Sequence, residues 1–429
     1  MTDTSPPPPK IKVEIDKFVH AIDALRLTLT TSMSSLDYQH THAHKEYDEY
    51  LDMYGESKEV NGERLYRIKS HDYCHDFGKL KIKLARIHAG LTVVPRNFLV
   101  ALVSQYDAYL SNLLKTLFYL RPEILEATEY KLSFADLCRF GDLNGAREHV
   151  AEKEIESVLR ESHIEQFEWL EKKFGLKLRV DLPVWPQFVE LTERRNLCVH
   201  TDAIVSSQYI EICKKHGVSV EDLKPGQKLD IGQTYFQKSH RVVLEVGVKL
   251  GHVLWRKVMP DQIGKADKAL FDLIHMLHVE GRNKAALILA QFADTTLEKR
   301  HSSELYRLAF RIQRALSHYL ACDKQECIKV LDSQDWSATS NNLKLSERVL
   351  REEFDEAASL VKQIGPDSPY PRKGDYLHLP IFNEFRKTEQ FAAVFKQLFG
   401  AMEHDQPEIK QLESIEEEKP IISATENIP

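Results

Sequence analysis

Between Phe98 and Leu120 the apolar residues step by three or four positions: Phe98, Leu102, Tyr106, Tyr109, Leu113, Leu117 and Leu120. Only a helix returns such a series to one side, and a stripe this continuous has to be buried against other helices. The spacing predicts a long helix beginning near Pro95 and ending at the Arg121-Pro122 turn. Ile15, Phe18, Val19, Ile22, Leu25 and Leu29 repeat the period and predict a helix from Ile11 to about Leu36. Tyr235, Val242, Val243, Val246, Leu250 and Leu254 predict another from about Gly232 to Lys257. Only 17 Gly and 17 Pro in 429 residues argue against a many-turned all-β fold. The expected class is all-α: a helical bundle followed by a small α-solenoid of helix pairs.

The chain divides on the same grounds. Residues 1–10 are Pro-rich and read as a flexible tail, and 11–84 as an N-terminal helical region. Residues 85–260 form the bundle domain, closed by Met259-Pro260-Asp261. From 265 to 400 the pattern changes to short helix pairs. The segments opening at Gly281, Asp323 and Glu353 share a polar turn, a small residue (Ala285, Cys327, Ala357) and an apolar run. Small residues there let a second helix pack closely on the first. Together with a fourth pair expected at Phe382–Phe399, this resembles degenerate tetratricopeptide-like repeats. Residues 401–429 are acidic and read as disordered.

The net charge of −7 argues against coating nucleic acid along the whole surface but leaves room for a local basic cleft. Six cysteines without C-x-x-C spacing fit a reduced, cytoplasmic setting. No apolar run is expected to span a bilayer, and the N-terminus carries no signal core. His40, His42 and His44 alternate, which aligns three ligands only in a strand, while their neighbours read as helix. His71 and His75 lie four apart around Cys74 without a supporting carboxylate. Neither group predicts a metal site, and no cofactor is expected.

The densest chemistry lies in Trp185–Tyr209, an amphipathic helix that runs into Glu193-Arg194-Arg195-Asn196 and then His200. Arginine, amide and histidine against an apolar face can together hold a phosphate and move a proton. Comparable Arg/His spacings at Arg64/His71 and Arg311/His318 sit in ordinary helical contexts. What sets Arg195-Asn196-Leu197-Cys198-Val199-His200 apart is the acidic turn before it and Tyr106-Asp107 in the middle of the long helix.

This arrangement, over roughly residues 85–258, resembles the HEPN ribonuclease superfamily, whose helical bundles carry an arginine, a polar residue and a histidine in this order. The resemblance implies a metal-independent endoribonuclease, a prokaryotic toxin or anti-phage defence effector, with Arg195, Asn196 and His200 as catalytic residues. Arg194 is an extra arginine outside that pattern. Residues five apart on a regular helix lie about 140° apart, so one straight helix cannot aim Arg195 and His200 at one phosphate. Either the helix distorts there or two copies pool their residues about a two-fold axis. The resemblance favours the homodimer.

In such a cleft His200 would take the proton from a ribose 2′-OH, or its symmetry mate would protonate the leaving oxygen. Arg195 would neutralise the crowded phosphorane and Asn196 would orient either group. Lys79, Lys81, Lys83 and Arg86, with Lys172 and Lys173, are the candidate RNA-approach residues alongside Arg194. The further partner expected is a regulatory or trigger protein at the C-terminal repeats. The competing reading is a catalytically inactive HEPN-like dimerisation and repeat scaffold.

Overall fold

The computed structural model describes residues 10–60, 63–127, 132–140, 142–180 and 182–400. The tails expected at 1–10 and 401–429 lie outside the described residues, except that Lys10 opens the first helix. The described residues are 78% helix and 3% strand, which places the chain in the all-α class. The first elements are α1 (Lys10–Tyr54), β1 (Gly55–Val60), β2 (Glu63–Ile68) and α2 (His71–Leu120). Then come α3 (Phe134–Phe140), α4 (Leu143–Arg160), α5 (His163–Phe174), α6 (Trp185–His200), α7 (Ser207–Lys215) and α8 (Gln233–Val258). The helix pairs supply α9 (Ile263–Val279), α10 (Asn283–Gln291), α11 (Glu304–Leu320), α12 (Lys324–Asp332), α13 (Asn341–Leu350) and α14 (Phe354–Ile364). The described chain closes with α15 (Lys373–His378) and α16 (Glu389–Phe399).

The core is made by the three stripes read from the sequence. Ile15, Phe18, Val19 and Ile22 of α1 meet the buried Leu99-to-Phe118 face of α2 and the Val243-to-Leu254 face of α8. Contact is closest where α8 carries Gly247 and Gly251. A Cβ at Gly247 would overlap the Phe18 ring, and one at Gly251 would overlap the Tyr109 hydroxyl and press on Ile15. Tyr109 stacks on Phe18 at 4.3 Å and donates its hydroxyl to the Gly247 carbonyl at 3.1 Å. The two glycines thus let a third helix close over the first two.

Several boundaries differ from those expected. α1 does not stop near Leu36 but continues to Tyr54, and α2 starts at His71 rather than near Pro95. The polar half of α1 and the polar half of α2 lie antiparallel. Leu36 packs against Gly90, Ala43 and Leu51 are buried, and Glu46 pairs with Lys83 at 2.7 Å. This pairing supplies what the faded apolar period does not. Pro95 sits inside α2 with its ring buried; the lost backbone hydrogen bond, costing about 3 kcal/mol, is offset by packing on both sides. The region 11–84 is also not purely helical. β1 and β2 form an antiparallel hairpin with Gly55 opposite Ile68 and Val60 opposite Glu63.

Because α2 is continuous, His71–Leu120 is by length and composition long and apolar enough to cross a membrane, unlike the shorter helix read from the sequence. Its second half is the centre of the bundle core.

The first compact unit runs past Met259-Pro260-Asp261 to Cys322. Arg256 of α8 pairs with the fully buried Asp267 of α9 at 2.9 Å, and His301 and Ser302 bond the same carboxylate. Asp23 of α1 meets Arg282 at 2.6 Å and His240 of α8 at 3.0 Å. These buried pairs fasten the α9–α11 region to the bundle.

The three helix-pair turns share a backbone device. Gly281, Cys322 and Glu352 are all left-handed, with φ of 70°, 60° and 64°. Counted from them, the equivalent small residues are Ala286, Cys327 and Ala357, all fully buried. The sequence alignment placed the first of these one residue early, at Ala285, which is also buried. The second unit, from Asp323, buries Cys327, Leu331, Leu345 and Ala357 with an aromatic group of Tyr376, Phe382, Phe385 and Phe391. Its last part is not a regular helix pair: two short turns at Pro380–Phe382 and Phe385–Lys387 precede α16, because Pro380 opens a tight turn instead of a helix.

Candidate functional site

Pro186 in the first turn starts α6, and Phe188, Val189 and Leu191 bury its apolar side. The helix then runs unbroken to His200, with the Thr201 amide bonding the Leu197 carbonyl at 2.9 Å. The distortion considered from the spacing is therefore not present. Arg195 and His200 leave the helix in different directions.

Arg195 lies on the side facing α2 and α5. Its Nη2 donates to Asp107 Oδ2 at 3.2 Å, while His163 Nε2 meets Asp107 Oδ1 at 2.9 Å. His163 stands there because Ser162 and Glu165 form a reciprocal cap that starts α5 at His163. Tyr106 and Phe188 enclose the imidazole, with ring centroids at 6.0 and 5.8 Å. Asn196 bonds Glu193, which lies beside His163 and Arg195. Burial pushes the Glu193 carboxyl above its ordinary value, against the opposing pull of His163, Asn196 and Arg195. Two buried polar atoms of this cluster, Arg195 Nε and the Tyr106 hydroxyl, have no hydrogen-bond partner.

His200 is exposed at the end of α6 and makes no hydrogen bond or ion pair among the described residues. The turn behind it is strained and held. Asp202 and Ala203 are left-handed, at φ 54° and 65°, which non-glycine residues adopt at a cost of about 1 kcal/mol or more each. Asp202 pairs with Arg96 of α2 and with Lys228 at 2.6 Å, and the Ala203 carbonyl accepts from Leu229 at 2.9 Å. Burial pushes the neighbouring Cys198 thiol up to about 11, so it carries no thiolate near neutral pH.

No protein-family model, curated protein or solved structure matches this chain. The site is accordingly read from its own chemistry.

Arg194 faces inward, on a different side from Arg195. Its Nε donates to Glu190 at 2.6 Å and its guanidinium lies 4.0 Å over the Tyr235 ring. Tyr209 and Tyr235 donate to the same carboxylate at 2.6 and 2.7 Å. This network ties α6, α7 and α8 together.

The basic clusters are spread differently from the motif. Lys79 pairs with Asp76 and Lys83 with Glu46, whereas Lys81 and Arg86 are exposed on α2. Lys173 is nearly buried against Glu154 and Lys172 is exposed. His40 and His44 share a side of α1 near His88, with ring centroids at 6.1 and 5.6 Å from His40, and His42 turns away to Glu46. His71, Cys74 and His75 are exposed in the first turns of α2. Among the described residues no group of three or more His, Cys, Asp or Glu is placed to hold a metal ion.

Sequence reading missed His163. Its only signal was the capping sequence Ser162-His-Ile-Glu165, which fixes where α5 begins but not what its first residue meets.

Proposed function

We propose that the chain is a metal-independent endoribonuclease of the HEPN type, cleaving RNA by attack of the ribose 2′-OH at a composite site between two copies. The observation that carries this reading is the division of labour on α6. Arg195 is braced by Asp107 through one end of its guanidinium, and His200 is exposed with no hydrogen bond or ion pair among the described residues. Arg195 supplies the fixed positive charge for the phosphorane, Asn196 and Glu193 line its flank, and His200 supplies the proton-transfer group.

The surface around His200 supports a second copy. Val199 and Ile204 on either side of it are 51% and 41% exposed. Val93, on α2 one turn before the Arg96 that grips Asp202, is 40% exposed. An apolar patch around an unpartnered histidine is what a two-fold interface would cover. Lys81 and Arg86 remain as the exposed cations for RNA approach. The paired turns of the C-terminal helices support a tetratricopeptide-like module, and its role in this reading is to hold a trigger or partner. Toxin or anti-phage activity in a prokaryotic cytoplasm belongs to the same proposal.

The second reading is an inactive HEPN-like scaffold. It is favoured by the Arg195–Asp107 ion pair, which already satisfies part of the arginine's charge.

Labelled RNA incubated with purified protein in EDTA decides between them. The ribonuclease reading expects 2′,3′-cyclic phosphate ends, resistance of DNA, and a loss of about 10²–10⁴-fold in His200→Ala. No cleavage by the wild type, in cell extract containing its trigger as well as in buffer, would leave the scaffold.

A further inference from the structure

At the ends of α5 and α6 remote from Arg195, a trough opens between residues 175–178 and 182–184, α8 and the turn Phe292–Thr296. It has two lobes of about 400 and about 440 Å³ that share Lys249, Phe292 and Thr296. The first lobe has an apolar floor of Phe167, Leu182 and Leu250, with Lys177, Lys249 and Arg300 in its lining. Lys249 pairs with Glu245 at 2.5 Å, whereas Lys177 and Arg300 have no ion-pair partner among the described residues. The second lobe is lined by Glu245, the partner of Lys249, and by the uncharged polar groups Gln187, Gln291, Thr295 and Thr296.

Lys177 and Arg300 leave two uncompensated cations at one apolar-floored cavity, beside a Lys249 whose charge Glu245 already balances, and a bound anion relieves their repulsion. The wall they face is itself unusual. Phe292–Thr296 is a π-helical turn, a form concentrated at functional sites, and Asp294 within it is pinned by Arg311 at 2.9 Å and Arg314 at 3.1 Å. Each lobe has the size of a small-molecule site.

We infer that this trough binds a nucleoside phosphate. The base lies on the Phe167–Leu182–Leu250 floor, and the phosphate is held by Lys177, Lys249 and Arg300. The ribose hydroxyls turn past Lys249 toward Thr295, Thr296 and Gln291. A fatty acyl carboxylate would use the first lobe alone and leave the hydroxyl-and-amide lobe without a role. The inference stands apart from the ribonuclease reading, because the trough contains none of the residues assigned to cleavage.

Isothermal titration of the full-length chain with the four ribonucleoside mono- and triphosphates, inorganic phosphate and palmitate tests it. At least one nucleoside phosphate is expected to fill a single site. Arg300→Glu and Lys177→Glu, both surface changes, should each weaken it by at least about tenfold, while His200→Ala leaves it unchanged. Thermal melts confirm that the variants are folded. Failure of every nucleoside phosphate to bind overturns the inference, as does binding that neither charge reversal moves. Saturation by palmitate alone, or inorganic phosphate binding as tightly as any nucleotide, overturns it too.

Discussion

Arg195 reaches across from α6 to Asp107 on α2, 88 positions back along the chain, with Nη2 3.2 Å from the carboxylate. The other oxygen of Asp107 receives His163 from α5. One carboxylate therefore sets the aim of an arginine and a histidine from two different helices. Asp107→Asn removes the charge that holds both while keeping the shape. It is expected to cost about 1–3 kcal/mol in urea denaturation and to lower the cleavage rate constant about 10- to 100-fold, with RNA affinity little changed. An unchanged rate constant would show that Arg195 needs no brace.

The buried histidines set the acid side of stability. Burial lowers His252 to about 3 and His278 to about 4, and it lowers His240 as well. Each folded value lies below the unfolded value near 6.5, so below that pH the unfolded chain takes up protons the folded chain refuses. Stability is fully present above about 6.5 and is lost as the pH falls toward 4. The thermal midpoint should drop steadily from pH 6.5 to 4.5, above the range where most carboxylates titrate. His252→Met should flatten that slope; an identical slope in the variant would exclude His252 as its source.

Gly251 is held to glycine by contact. Gly251→Ala drives a methyl group into the Tyr109 hydroxyl and Ile15 at the α1–α2–α8 junction. A loss of about 1–3 kcal/mol is expected, while Gly175→Asn, in a left-handed position with open space around it, should cost far less. Chemical denaturation of the two variants compares them directly. Equal losses would mean the junction relaxes to admit the methyl.

The legible parts of this fold are those where burial writes a period into the sequence. The Leu102-to-Leu117 stripe, the face of α8 and the first half of α1 are buried as the spacing requires. The second half of α1 and the first half of α2 carry no such stripe. They are helical through mutual pairing, and a one-dimensional pattern holds no record of a partner over thirty residues away. The strands of the β-hairpin are short and polar, carry no apolar alternation, and lie between helical neighbours that dominate the pattern. At the site, Arg195, Asn196 and His200 are adjacent in sequence and stood out as a group. Asp107, already singled out with Tyr106 in the long helix, meets Arg195 only through folding, and so does His163, whose cap looks like any other helix start. Arg194 shows the converse limit: the extra arginine outside the motif reads as one more cation for RNA, yet its helical phase turns it toward Glu190 and Tyr235.

Mixing two impaired variants tests the composite site most directly. Arg195→Ala and His200→Ala chains, each expected to cleave far more slowly alone, are combined under conditions that exchange subunits and then assayed on RNA. If one protomer's arginine works with its partner's histidine, the mixed dimer keeps one intact pair and cleavage returns. If the mixture stays as slow as its components while wild-type dimers exchange and cleave, the two residues do not act across a shared interface, and the account fails.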